Sequence, residues 1–250
     1  MVVLAEPDPA NLDSVPSSAT APALLSVLTR LRFETRSEHD AVERVLDLMG
    51  ALSNTSYRQR LVQFYGFYSP LEAALQTRCA EQGDSRSLKA SQLPMLLPRL
   101  HKSLLLRQDL NHLGVITIDL ALCRALPQIQ TPAEVLGCLY VLEGATLGGR
   151  MITQHVQATL GITPTTGGSF FDGYAGHTAR MWNAMRQTLL SGAVDAQAEN
   201  AMVASAVATF TCLRDWCESV PFRKNSVTVH DLESHPVHMT KNHAKAEPGA

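Results

Sequence analysis

Three glycines inside one apolar, helix-patterned stretch are the first feature of this chain that could do chemistry. Leu139–Ile152 reads LYVLEGATLGGRMI and carries Gly144, Gly148 and Gly149. Each interior glycine costs a helix about 1 kcal/mol relative to alanine, so three need a reason. Gly144 and Gly148 are four apart and share a helix face. With no side chains there, a flat or bulky guest can lie directly on the backbone. A small-residue seam for close helix packing is the competing explanation. A phosphate loop is excluded, because no strand precedes the glycines and Arg150 stands where a Walker-type loop needs its lysine.

A partner for such a guest lies earlier, in LRFETRSEHDAVERVL. Leu28, Leu31, Thr35, His39, Val42 and Leu46 recur at spacings of three and four, which is one face of a helix. His39 should therefore point toward the core. Glu43, one turn on, can reach the imidazole directly or through a water and fix its tautomer. A lone histidine on an apolar face is more often a satisfied core residue than a ligand. Opposite a helix face without side chains, however, a neutral imidazole describes a haem sandwich, with the ligand below and the glycine helix above. His101, His112 and His155 have no partners at ligand spacing, and His177 falls at a loop or helix start. His230, His235, His238 and His243 form a loose tract suited to adventitious metal binding.

At these residues the chain resembles the haem oxygenases, most closely the bacterial branch that makes biliverdin for phytochromes. The matching pieces are L-R-x-x-T-x-x-x-H-x-x-x-E at Leu31–Glu43, L-Y-V-L-E-G-A-T-L-G-G at Leu139–Gly149, and F-F-x-G-Y at Phe170–Tyr174, followed by Met181 and Trp182. The first is common on helices, the second fairly specific, and the three in order are strong together. The resemblance implies an all-α, single-domain helical bundle, with haem between a proximal helix and a kinked, glycine-rich distal helix. It implies haem b as both cofactor and substrate, with O2 as co-substrate. The products it implies are biliverdin, CO and ferrous iron. His39 becomes the axial iron ligand, Glu43 and Thr35 its neighbours, and Gly144, Thr146, Gly148 and Gly149 the distal catalytic wall. Arg32 and Arg36 are candidates for the haem propionates, since arginine matches carboxylates bidentately, or else ordinary solvated charges. Tyr174 and Arg180 are weaker propionate candidates, and Phe210 is either pocket wall or core.

One departure is plain. Better-known members place an aspartate directly after the first glycine, where this chain has Ala145. The phytochrome-associated branch also has a small residue there. Distal water would then be held by Thr146, backbone carbonyls or Arg150. Electrons must come from an external donor of the ferredoxin or flavin reductase type, because the chain has no flavin, nicotinamide or iron–sulfur motif. A bacteriophytochrome is a candidate receiver of the biliverdin. A non-catalytic haem carrier of the same fold is the alternative from a different class.

The elements that must position these residues read as helices at 23–50, 55–82, 93–114, 115–127, 132–160, 177–191 and 196–219, between a leader over 1–21 and a polar tail over 221–250. With 45% hydrophobic content and no interior linker, one helical domain over 22–220 is the economical reading. Thr131-Pro132-Ala133-Glu134 should open the glycine helix and Gly161 close it. A bend is expected at Gly144–Gly149, and a similar interruption at Gly66 and Pro70. A net charge of −2, with no basic and aromatic cluster, argues against nucleic acid. Apolar runs shorter than the roughly 20 residues of a membrane span argue against a membrane. Five scattered cysteines and no signal-peptide pattern fit a cytoplasmic protein with free thiols.

Overall fold

Helix order already separates the two halves of the candidate site. The structure, a computed structural model, describes residues 21–81 and 90–220. Its helices are α1 (Ala21–Glu34), α2 (Arg36–Leu46), α3 (Asn54–Glu81), a 3-10 helix (Ala90–Arg99), α4 (Lys102–His112), α5 (Pro132–Leu160), α6 (Ser169–Asp172), a 3-10 turn (Ala175–His177), α7 (Thr178–Gly192) and α8 (Ala196–Ser219). The regular elements among the described residues are all helical, as the all-α reading requires. The expected leader up to residue 20 and the tail from 221, with its four histidines, lie outside the described residues.

The helix expected over 23–50 is two helices meeting at Thr35. The Thr35 hydroxyl donates to the Leu31 carbonyl at 2.6 Å, and its own carbonyl accepts from the His39 amide at 2.9 Å. Such back-bonding by threonine bends helices. Helix α2 stops at Leu46 because Asp47 turns left-handed, at φ 41° and ψ 51°. Leu31, Thr35, Val42 and Leu46 are buried.

Pro70 lies inside α3, yet the helix does not break. Proline has no N–H to give the carbonyl four residues back, which is that of Gly66. The amide of Cys123 fills the vacancy at 2.8 Å. This contact also accounts for the helix expected at 115–127, which does not form. Gly114 ends α4 at φ +74°. The β-branched run Val115-Ile116-Thr117-Ile118 then favours extended backbone, which runs along α3 and hands it the missing donor. Pro94 and Pro98 likewise turn the first part of the expected 93–114 helix into 3-10 geometry.

Helix α5 is the axis of the bundle, packed against α8, α7 and α6. Its start is the expected capping box, with Thr131 accepting from the Glu134 amide and Glu134 accepting from Thr131, and Gly161 closes it at φ +71°. The helix is continuous through its glycines, so any bend there does not interrupt the hydrogen-bonded ladder. By length and hydropathy α5 could cross a membrane, but 67% of its most apolar window is buried inside the fold. It approaches α8 closely because Gly137 has no side chain: a Cβ there would lie 2.2 Å from the Met202 carbonyl. Cys138, Ser205 and Thr209 close the same seam with hydrogen bonds.

Candidate active site

His39 sits on the face of α2 that meets α8. Its ring stands edge-on to Phe210, 5.6 Å between centroids. The side chain is 18% exposed, so it lies at the edge of the apolar stripe rather than fully in the core. Its Nε2 is 3.7 Å from Glu43 and its Nδ1 is 3.6 Å from Asp40. Both distances exceed a hydrogen bond. The expected direct contact from Glu43 is thus an approach, with Asp40 on the other ring nitrogen. His101, His112 and His155 differ: each has a ring nitrogen within 3.1 Å of a backbone carbonyl, that of Pro98, Gln108 or Gly50. His155, which spacing left without a partner, ties α5 to the turn after α2.

The three glycines of α5 separate into different roles. A Cβ at Gly149 would lie 2.0 Å from the Phe171 carbonyl, so its missing side chain serves the packing of α6. Gly144 is the reverse: it is buried, yet the nearest atom a Cβ would meet is Cη2 of Trp182 at 4.0 Å. No protein packing demands glycine there. Gly148 is buried on the same face. The open side of Gly144 is bounded by Trp182, whose ring lies 5.9 Å from that of Tyr140, one turn earlier on α5. The Tyr140 hydroxyl lies beside the side chain of Thr35, one turn before His39. The two candidate walls therefore approach each other at Thr35 and Tyr140.

Directly before Gly144 stands a buried carboxylate. Glu143 is 1% exposed and accepts from Arg99 Nη1 and Lys102 Nζ, each at 2.5 Å, and from the Tyr174 hydroxyl at 2.9 and 3.1 Å. Lys102 lies 5.2 Å from the centroid of the Tyr174 ring. Glu72, also buried, accepts from the Lys102 and Ser103 amides at 2.8 and 2.9 Å and caps α4. Two buried cations, Arg99 and Lys102, therefore share the Glu143 carboxylate, while Glu72 serves the start of α4. Burial and the Glu143 charge both hold the Tyr174 phenol well above its usual range.

This cluster changes the reading of Tyr174, whose hydroxyl belongs to Glu143 rather than standing free for a propionate. Thr146 donates to the Glu143 carbonyl at 2.6 Å, leaving only its lone pairs for a distal water. Arg36 and Arg180 are exposed, as is Arg32, whose charge reaches Tyr140. Phe210 is buried and backs His39. Sequence reasoning missed Arg99, Lys102 and Tyr140. Glu143 was visible as a lone charge inside an apolar run, but nothing in the sequence named its partners.

Residues 25–219 match the family described as Heme oxygenase. The chain belongs to the haem oxygenase family. It is accordingly a haem-degrading enzyme, with haem as its ligand. Among curated proteins none matches the chain. Solved structures share the fold. The NO- and CO-bound heme oxygenase of Neisseria meningitidis is 20% identical, with a TM-score of 0.61 over 78% of this chain and 93% of that one. Heme oxygenase 2 of Chlamydomonas reinhardtii, solved without heme, is 16% identical, with a TM-score of 0.62 over 80% and 99%. The heme oxygenase of Leptospira interrogans is 19% identical, with a TM-score of 0.60 over 78% and 100%. The chemistry of these residues suits the ligand of this family: a Cβ on Gly144 would meet no protein atom closer than Trp182 at 4.0 Å, and the His39 ring nitrogens are not taken by carbonyls.

Proposed function

We propose that haem lies between α2 and α5, with His39 as its axial ligand and the Gly144–Gly148 face of α5 over the opposite side. The observation that carries this reading is the open space at Gly144, a buried glycine that the protein's own packing does not require. When bound, haem supplies the iron and the porphyrin that is itself oxidised. The chain holds, orients and shields it. Phe210 sets the plane of the His39 ring, and Asp40 and Glu43 stand near its two nitrogens. Gly144 and Gly148 let backbone approach where any side chain would intrude. Thr146 and the carbonyls of α5 accept from a distal water. Arg32, Arg36 and Arg180 are the cations for the propionates. Gly149 acts by keeping α6 close.

O2 is the co-substrate, and biliverdin, CO and ferrous iron are the products. The electrons come from an external ferredoxin or flavin reductase. Ala145 supports placement in the bacterial, phytochrome-associated branch, with a bacteriophytochrome receiving the biliverdin in the cytoplasm. The test is a hemin titration followed by a reductant in air. The expected result is one-to-one binding, then loss of the Soret band and release of a green bilin. A stable ferrous spectrum with the ring intact would instead identify a haem carrier.

A further inference from the structure

The Arg99 guanidinium reaches two helices at once. One arm meets the Glu143 carboxylate of α5 at 2.5 Å, and the other donates to the Met181 carbonyl of α7 at 3.2 Å. The residues that follow these two contacts are Gly144 and Trp182, and Cη2 of the Trp182 ring is the nearest atom that a Cβ on Gly144 would meet, at 4.0 Å. Glu143 is held on its other oxygen by Lys102, which the buried Glu72 cap anchors to α3. Four buried charged side chains, Glu72, Arg99, Lys102 and Glu143, are a poor way to gain stability, since apolar side chains of similar volume often serve as well or better. What they add is direction. Only a planar fork can hold a carboxylate and a carbonyl at fixed separation, and a lysine ammonium cannot reproduce it.

We propose that Arg99 is a positioning residue: by bridging Glu143 and Met181 it sets the distance between the Gly144 backbone and the Trp182 ring, and so how haem is seated against the distal wall. This rests on the haem site proposed above. Arg99 does not touch haem itself, and Tyr174 and Lys102 hold Glu143 in the orientation the bridge needs.

The test is Arg99→Lys in the full chain, with Tyr174→Phe as a milder variant that keeps all four charges. The first readout needs no haem: the fluorescence of Trp182 in the apo-protein, taken as the difference from Trp182→Phe. Arg99→Lys should shift this emission and Tyr174→Phe should shift it less. With hemin bound, Arg99→Lys should lower turnover about tenfold to a hundredfold, the scale of a misplacement of up to 1 Å. It should also alter the proportions of biliverdin isomers while keeping one-to-one binding. An unmoved Trp182 emission and unmoved isomer proportions, with only a lower Tm, would overturn the proposal and leave the cluster a structural one. Should Arg99→Lys fail to fold, Tyr174→Phe decides on the same two readouts. Hemin binding that survives Gly144→Leu would count against the haem site instead, and the apo emission would still report on the bridge.

Discussion

The imidazole of His39 meets the Phe210 ring at 80° between planes and 5.6 Å between centroids. One residue earlier, Glu38 is ion-paired to Arg214, which lies one turn beyond Phe210 on the same helix. The orientation of the candidate ligand is therefore set by α8 from behind, rather than by the carboxylates on its own helix. Because α8 also carries α5, the two walls of the site share one support.

His39→Ala should keep the fold. Losing a half-buried ring should cost about 1–3 kcal/mol, at the lower end of large-to-small core replacements. Chemical denaturation of the apo-protein measures that loss, and hemin titration measures the site. The variant should lose the wild-type Soret position and turnover; if both stay unchanged, His39 is not the axial ligand.

Gly144→Leu and Gly149→Ala should behave oppositely. The first gains up to about 1 kcal/mol of helix propensity and its Cβ meets no protein atom closer than Trp182, so apo stability should hold or rise. Hemin binding should nevertheless collapse. The second puts a methyl against the Phe171 carbonyl and should cost about 1–3 kcal/mol, as overpacking does. Thermal melts of both apo-proteins, beside hemin titrations, separate the two roles.

Glu143→Ala should be among the most damaging substitutions available. It strands the cations of Arg99 and Lys102, and removing one partner of a buried pair costs about 3–5 kcal/mol. Urea denaturation provides the number. A loss under about 1 kcal/mol would mean that water reaches the cluster in solution.

Alkaline pH should destabilise the protein through its buried thiols. Burial pushes Cys79 up to about 11 and Cys217 up to about 12, from an ordinary value of 9.0. The unfolded chain loses these protons first, so their contribution is fully present below pH 9 and is lost as pH rises toward the folded-state values. The slope is about 1.4 kcal/mol per pH unit for each thiol. Unfolding free energies at pH 8 and pH 10 should differ in that direction, and Cys217→Ala should flatten the difference. In the native protein at pH 8, a thiol reagent should modify the partly exposed Cys212 well before either of these.

Much of this molecule is written in local patterns. The capping box at Thr131 and Glu134 and the Gly161 stop bound α5 correctly, because caps depend on residues within one turn of each other. The α2 stripe and the unusual glycines of α5 pointed to the two walls of the proposed site for the same reason: helix periodicity is a short-range property. The family itself was legible in three short motifs, and the match over residues 25–219 bears that out. What the sequence alone could not decide depended on partners far along the chain. The 115–127 segment looked helical, yet it forms no helix, with the Cys123 amide serving a carbonyl that Pro70 left without a donor. Tyr174 looked available to a ligand until Glu143, brought from another helix, took its hydroxyl. The glycines looked alike until tertiary packing put Phe171 against Gly149 and only open space, with Trp182 at its edge, beside Gly144. A residue type states which contacts a side chain can make; only the packed helices decide which of them it finds, because the competing groups arrive from other parts of the chain.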